Sequence, residues 1–249
     1  MAQEWTDFIP VIWREPAAPT ELRHLAIWLP GFSGEKEHLA KYLDQLAELG
    51  YVAVAYDLYQ HGERRVEPQE AMITRVGSNR RKYFWEILGR TAEDMLRVID
   101  WAVGKFGIDG TIVVGGVSMG GDIALTAAAI DPRIVGVCSV IATPEWLRTG
   151  AAEEQGEPDT WTAQLYERLN PASHPEAYAS RQVKIHFENA ACDPFVPSDA
   201  ARAFLNKLRP MYGEAADRLT LCETPDLDHQ YIASMWEHSL QWFARQIKH

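Results

Sequence analysis

The sequence predicts an α/β fold built on a mostly parallel central sheet flanked by helices, and three observations predict it. Short β-branched or aromatic runs alternate with longer runs of helical spacing through most of the chain. Several of the short runs are almost continuously apolar, as strands covered on both faces are. A chain of 249 residues with 47% hydrophobic and 24% charged side chains can bury one large core, so a single domain over 1–249 is expected and disorder is ruled out.

Taken in order, Phe8 to Trp13 reads as an edge strand and His24 to Leu29 as the first interior one. Glu37 to Leu49 places Leu39, Leu43, Leu46 and Leu49 on one helical face and stops at Gly50, a residue suited to a left-handed cap. Strand Val52 to Tyr56 follows. Lys82 to Phe106 repeats the helical pattern with Phe84, Ile87, Leu88, Met95, Val98, Ile99 and Ala102. Thr111 to Gly115, Ile134 to Ile141, Val183 to Glu188 and Leu219 to Glu223 complete the strands. Helices are expected at Asp122 to Ile130, Ser198 to Leu208 and Tyr231 to Ile247. One stretch breaks the alternation: from Thr143 to Arg181, Pro, Gly and acidic residues surround the amphipathic run Trp161 to Leu169. It reads as a small lid-like insertion, or equally as a crossover containing a helix.

The charge balance narrows the partners. Against 35 acidic residues stand 24 basic ones, a net charge of −11 that repels nucleic acid and anionic membrane surfaces, leaving a small molecule as the expected partner. No apolar run is long enough to span a bilayer, and the first ten residues, with Glu4 and Asp7, show no secretory signal, so a cytoplasmic protein is expected. Cys138, Cys192 and Cys222 lack metal-like spacing and lie in or beside apolar stretches, which suggests buried thiols in a reducing compartment. No metal cluster, dinucleotide fingerprint or phosphate loop stands out, and no cofactor is expected.

The sharpest chemical signal is Gly116-Val117-Ser118-Met119-Gly120-Gly121, set between a strand and a helix. In that context glycines let the chain turn sharply and push the Ser118 hydroxyl out above the sheet, as a nucleophile requires. A serine hydroxyl is a poor nucleophile at neutral pH and needs a histidine base with a carboxylate to orient it. Of eight histidines, His229 leads, because it ends the loop Thr224 to His229 at the carboxyl edge of the sheet. Asp193, in the loop after Val183 to Glu188, leads among the carboxylates. Its rivals are Asp226, which could cap the last helix, Asp228, beside His229, and Glu188, which could end its strand. The resulting chain order is Ser, Asp, His.

Acyl transfer also needs donors for the oxyanion, and the backbone N–H groups of Met119 and Phe32, the latter in Pro30-Gly31-Phe32-Ser33-Gly34, are the candidates. His61, in Asp57-Leu58-Tyr59-Gln60-His61-Gly62-Glu63-Arg64, is either a ligand-side residue or an organiser of its loop, and Arg64 pairs with acidic neighbours. Trp85, Trp146, Trp161 and Trp236 fit core better than an acyl pocket.

Taken together, the Pro30 to Gly34 turn, the Asp57 to Arg64 stretch, the aromatic helix around Phe84-Trp85, the Ser118 elbow, the Asp193 loop ending in Val196-Pro197, and His229 resemble the α/β-hydrolase superfamily. The resemblance is to its small intracellular serine esterases related to dienelactone hydrolase and the prolyl-oligopeptidase catalytic domain. It implies a mostly parallel sheet of about eight strands, with Ser118 as nucleophile, Asp193 as acid and His229 as base. Many relatives have His-Gly where this chain has Pro30-Gly31. Dienelactone hydrolases proper use cysteine, so serine here points to ordinary carboxylic esters or thioesters. The expected activity is that of a serine carboxylesterase acting on small esters through an acyl-enzyme. A hydrolase-like ligand-binding protein, a thioesterase and a peptidase are the alternatives.

Overall fold

A computed structural model describes residues 1–18 and 21–247 of the chain. Eight strands form one sheet: β1 (Ala2–Thr6), β2 (Ile9–Arg14), β3 (His24–Leu29), β4 (Tyr51–Tyr56), β5 (Ile112–Val117), β6 (Ile134–Val140), β7 (Lys184–Ala190) and β8 (Leu219–Thr224). Their spatial order is β1-β2-β4-β3-β5-β6-β7-β8. The β1–β2 and β2–β4 pairings are antiparallel and the remaining five are parallel. Every residue of β3 and β4 is buried, which is why those segments are apolar without alternation.

The helices are α1 (Ala40–Glu48), α2 (Gln69–Ser78), α3 (Arg80–Phe106), α4 (Met119–Ile130), α5 (Thr160–Leu169), α6 (Pro175–Ala179), α7 (Asp199–Tyr212) and α8 (Ala233–Gln246), with short 3₁₀ turns between some of them. On one face of the sheet α1 and α8 bury Leu43, Leu46, Trp236 and Phe243 against Trp28, Ala53 and Val113. On the other, α2 to α7 bury Met72, Phe84, Ile123, Leu165, Tyr178 and Leu205 against Leu25, Val114 and Phe187. Removing this apolar surface from water is the main force assembling the layers. Helix α3 begins at Asn79, whose side chain accepts a hydrogen bond from the Lys82 amide, and ends at Gly107 in the left-handed conformation.

All seven expected strands form, His24 to Leu29 with the expected ends and the others with ends shifted by at most two residues. The sequence reading does not anticipate β1 or α2. Strand β1 is a largely exposed edge of mixed polarity, and α2 buries only Met72 and Val76, so neither carries a strong apolar pattern. The insertion from Thr143 to Arg181 is packed onto the α2–α7 face: Trp146 and Leu165 are buried, Trp85 donates from Nε1 to the Trp146 carbonyl, and its ring stacks on Tyr166. Trp85, Trp146 and Trp236 fill core as expected, but Trp161 does not: it is 40% exposed beneath the Arg90 guanidinium. The expectation of buried thiols holds only for Cys138, because Cys192 sits in a loop and Cys222 on the edge strand β8, and both are exposed. No described helix is long and apolar enough to cross a membrane.

Candidate active site

Ser118 separates β5 from α4 and has φ 53° and ψ −120°, a conformation strained for a residue with a side chain. The strain persists because the surroundings over-determine it. The Ser118 amide donates to the Val140 carbonyl at 2.7 Å, while its own carbonyl accepts from Gly121 and Asp122 at 2.8 and 3.1 Å. The glycines around it are required by close approach. A Cβ at Gly120 would lie 2.6 Å from the carbonyl oxygens of Leu29 and Pro30, and one at Gly116 would lie 2.6 Å from the Gly120 carbonyl carbon.

The loop after β7 brings Asp193 to the same edge. Its Oδ1 accepts the Phe195 and Val196 amides at 2.9 and 2.8 Å, which locks the carboxylate, and the residue is only 6% exposed. The loop after β8 is tied to it by Ala191 N–H donating to the Thr224 carbonyl at 3.0 Å and Cys192 N–H donating to the Leu227 carbonyl at 2.9 Å. His229 is thereby set between the other two side chains. Its Nδ1 lies 2.5 Å from Asp193 Oδ2 and its Nε2 lies 3.0 Å from Ser118 Oγ. The Nδ1–H therefore donates to the carboxylate, leaving Nε2 free to accept from the hydroxyl. Asp226 occupies a left-handed turn and does not cap α8, whose N-cap is Ile232, and Glu188 faces His186.

Both expected oxyanion donors border Ser118. Met119 is the first residue of α4, where an amide has no acceptor within its own helix. Phe32 and Gly31 line the cavity with Ser118, and a Cβ at Gly31 would be 3.6 Å from Ser118 Cβ. The loop carrying Phe32 is anchored by a buried ion pair: Lys36 donates from its amide to Asp57 Oδ1 at 3.0 Å and from Nζ to Asp57 Oδ2 at 2.8 Å. Burial alone would lower the Lys36 ammonium, but the Asp57, Glu37 and Glu63 carboxylates outweigh it and hold it above its ordinary value. His61 is an organising residue of the neighbouring loop, with Nδ1 2.9 Å from the Tyr59 carbonyl and its ring edge-on to Phe32. Burial pushes its imidazole below the ordinary histidine value. Arg64 pairs with Asp94 at 2.7 Å.

The cavity above Ser118 has a volume of about 380 Å³, and Phe32, Phe84, Phe195 and Tyr231 supply its aromatic walls. Two arginines that the sequence reading does not anticipate also border it. Arg148, from the insertion, is buried over the Phe84 ring and donates to Asp122 Oδ2 at 2.6 Å, while Arg80 pairs with Glu153. Asp122 is fully buried, and burial pushes its carboxyl up against the opposing pull of Arg148. A charged residue four places past Ser118 on an otherwise uncharged helix is the one sequence signal that marks this pair.

The eight-stranded sheet and the serine elbow at its carboxyl edge define an α/β-hydrolase. Residues 16–246 match the model of the Dienelactone hydrolase family, and this chain belongs to that family. The chain is 27% identical over 237 residues to the Bacillus subtilis (strain 168) protein named "Putative esterase YitV", covering 90% of this chain and 89% of that one. Among solved structures, TT1662 from Thermus thermophilus aligns with a TM-score of 0.76 and 27% identity, over 100% of this chain and 98% of that one. Est1E from Butyrivibrio proteoclasticus, solved with ferulic acid bound, aligns with a TM-score of 0.67 and 20% identity over 99% of each chain, a likeness of fold.

Proposed function

We propose that this protein is a serine carboxylesterase that hydrolyses small carboxylic esters through an acyl-enzyme. The observation that carries the reading is the continuous relay from Ser118 Oγ through His229 to Asp193, with contacts of 3.0 and 2.5 Å. His229 Nε2 takes the Ser118 proton as Oγ attacks the acyl carbon, and Asp193 steadies the imidazolium. The carbonyl oxygen becomes an oxyanion facing the Phe32 and Met119 amides. Collapse expels the alcohol, which leaves with the proton held by His229. Water then gives a proton to His229, attacks the acyl-enzyme, and releases the acid while Ser118 recovers its hydrogen. Every step uses this chain's residues and water.

A cavity of about 380 Å³ suits a small acyl or aryl group, and its four aromatic walls favour an apolar one. The esterase name of the Bacillus subtilis relative agrees with ester hydrolysis, and the ferulic acid bound to the Butyrivibrio proteoclasticus structure is a small aryl acid of that size class. In this reading the Thr143 to Arg181 segment forms the outer wall through Arg148 and Glu153. The test is hydrolysis of p-nitrophenyl esters of graded acyl length by wild type and Ser118→Ala. Short esters are expected to turn over, with kcat reduced by about 10⁴-fold or more in the variant. Undiminished turnover by Ser118→Ala would overturn the assignment.

A further inference from the structure

Glu188 lies outside the Ser118 site, is only 1% exposed, and has two imidazoles as its ion-pair partners. A buried carboxylate needs a compensating cation. His186 Nε2 is 2.8 Å from Glu188 Oε1, and His238 Nδ1 is 3.3 Å from Oε2. The strand pleat assembles this group. His186 and Glu188 are two apart on β7 and share a face, and Cys222 on β8 is the register partner of Glu188. Helix α8 covers that face and delivers His238 at its solvent side. One ligand atom from each of His186, Glu188 and Cys222 falls within 4.8 Å of the others.

We infer that His186, Glu188 and Cys222 bind a divalent transition-metal ion, zinc by preference, with a fourth position open to solvent beside His238. One imidazole nitrogen, one carboxylate oxygen and one thiolate suit zinc, whereas calcium and magnesium favour oxygen alone. Metal–ligand bonds of about 2.0–2.3 Å put the ligand atoms of a tetrahedral site about 3.3–3.8 Å apart. The His186–Glu188 contact of 2.8 Å must therefore open slightly. Between that nitrogen and oxygen lies a single proton, which the ion replaces.

An outer bond already orients the ring. His186 Nδ1 is 2.7 Å from Thr220 Oγ1, which is 3.3 Å from the Ile185 carbonyl, the kind of support that metal-bound histidines have. Trp242 lies nearly parallel to the imidazole and walls off its other side. Partial desolvation of the sulfur and the adjoining Glu188 charge push the Cys222 thiol up to about 11, with Arg245 of α8 pulling the other way. The ion ties β7 and β8 together without touching Ser118, a stabilising role and not a chemical one.

The metal-stripped full chain, titrated with Co²⁺, is expected to bind one equivalent with a sulfur-to-cobalt charge-transfer band in the near ultraviolet, and Zn²⁺ is expected to raise Tm. Cys222→Ser removes an exposed ligand, so it is expected to keep the metal-free Tm while abolishing the band and weakening binding by about 10- to 100-fold or more. Cys192→Ser and His229→Asn, which remove the other exposed thiol and the imidazole beside Ser118, are expected to retain both signals. Absence of the band and of the Tm shift in the wild type overturns the site. So does a band that survives Cys222→Ser or disappears in either control.

Discussion

On the β3–β5 side of the sheet's carboxyl edge, Ser118 is held by contact: Gly116 and Gly120 pack so closely against neighbouring backbone that the turn has no other shape open to it. On the β7–β8 side, Asp193 and His229 are held by hydrogen bonds from amides, carbonyls and each other, in loops with more exposed surroundings. Steric locking survives changes of protonation and fails when a methyl group is added. Hydrogen-bond locking tolerates small changes of volume and fails when one polar atom is exchanged.

The largest expected effect breaks the hydrogen-bonded side. Asp193→Asn keeps the Oδ1 acceptor for Phe195 and Val196 but loses the carboxylate that fixes the His229 tautomer, so kcat for short esters is expected to fall by about 10⁴-fold with little change in Tm. Next comes the pair that joins the insertion to the elbow helix. Arg148→Met leaves the buried Asp122 without its guanidinium, at a cost of about 3–5 kcal/mol read from urea unfolding. An Asp122→Asn/Arg148→Met double variant is expected to recover part of that loss.

On the sterically held side, Gly120→Ala is expected to cost about 1–3 kcal/mol in stability and about 10²-fold in kcat. Its Cβ has no room 2.6 Å from two carbonyl oxygens and must displace the turn. Wild-type Tm together with wild-type kcat in that variant would remove the distinction between the two sides. The smallest effect concerns His61, a buried titratable group behind the packed side. Its folded-state value is lowered by burial, so the unfolded chain binds more protons below the ordinary histidine value and stability falls as pH drops through and below about 6.5. The Tm gap between wild type and His61→Gln is accordingly expected to be wider at pH 7 than at pH 5.

The same contrast explains which parts of the site are legible in the sequence. The elbow is legible because steric necessity leaves a local mark, glycines at fixed offsets between an apolar strand and a helix. Loop position ranks Asp193 and His229 above their rivals, but nothing local separates Asp193 from Asp226; the amides of Phe195 and Val196 make the difference, and those are a property of the folded loop. Arg148 is silent in the sequence for the same reason, since its partner Asp122 is 26 residues away with strand β6 between them. Strand β1 leaves no apolar pattern because an edge with one partner needs no apolar face.

Strand β8 is the opposite edge of the sheet, paired with β7 alone and largely open to solvent, and the imidazole at position 229 hangs from the loop that leaves it. Fraying there costs less than melting the interior strands, yet it withdraws the His229 imidazole from Ser118. In the proposed reading, gentle heating is therefore expected to silence ester hydrolysis while most amide protons are still protected, and cooling to restore it without any need to refold.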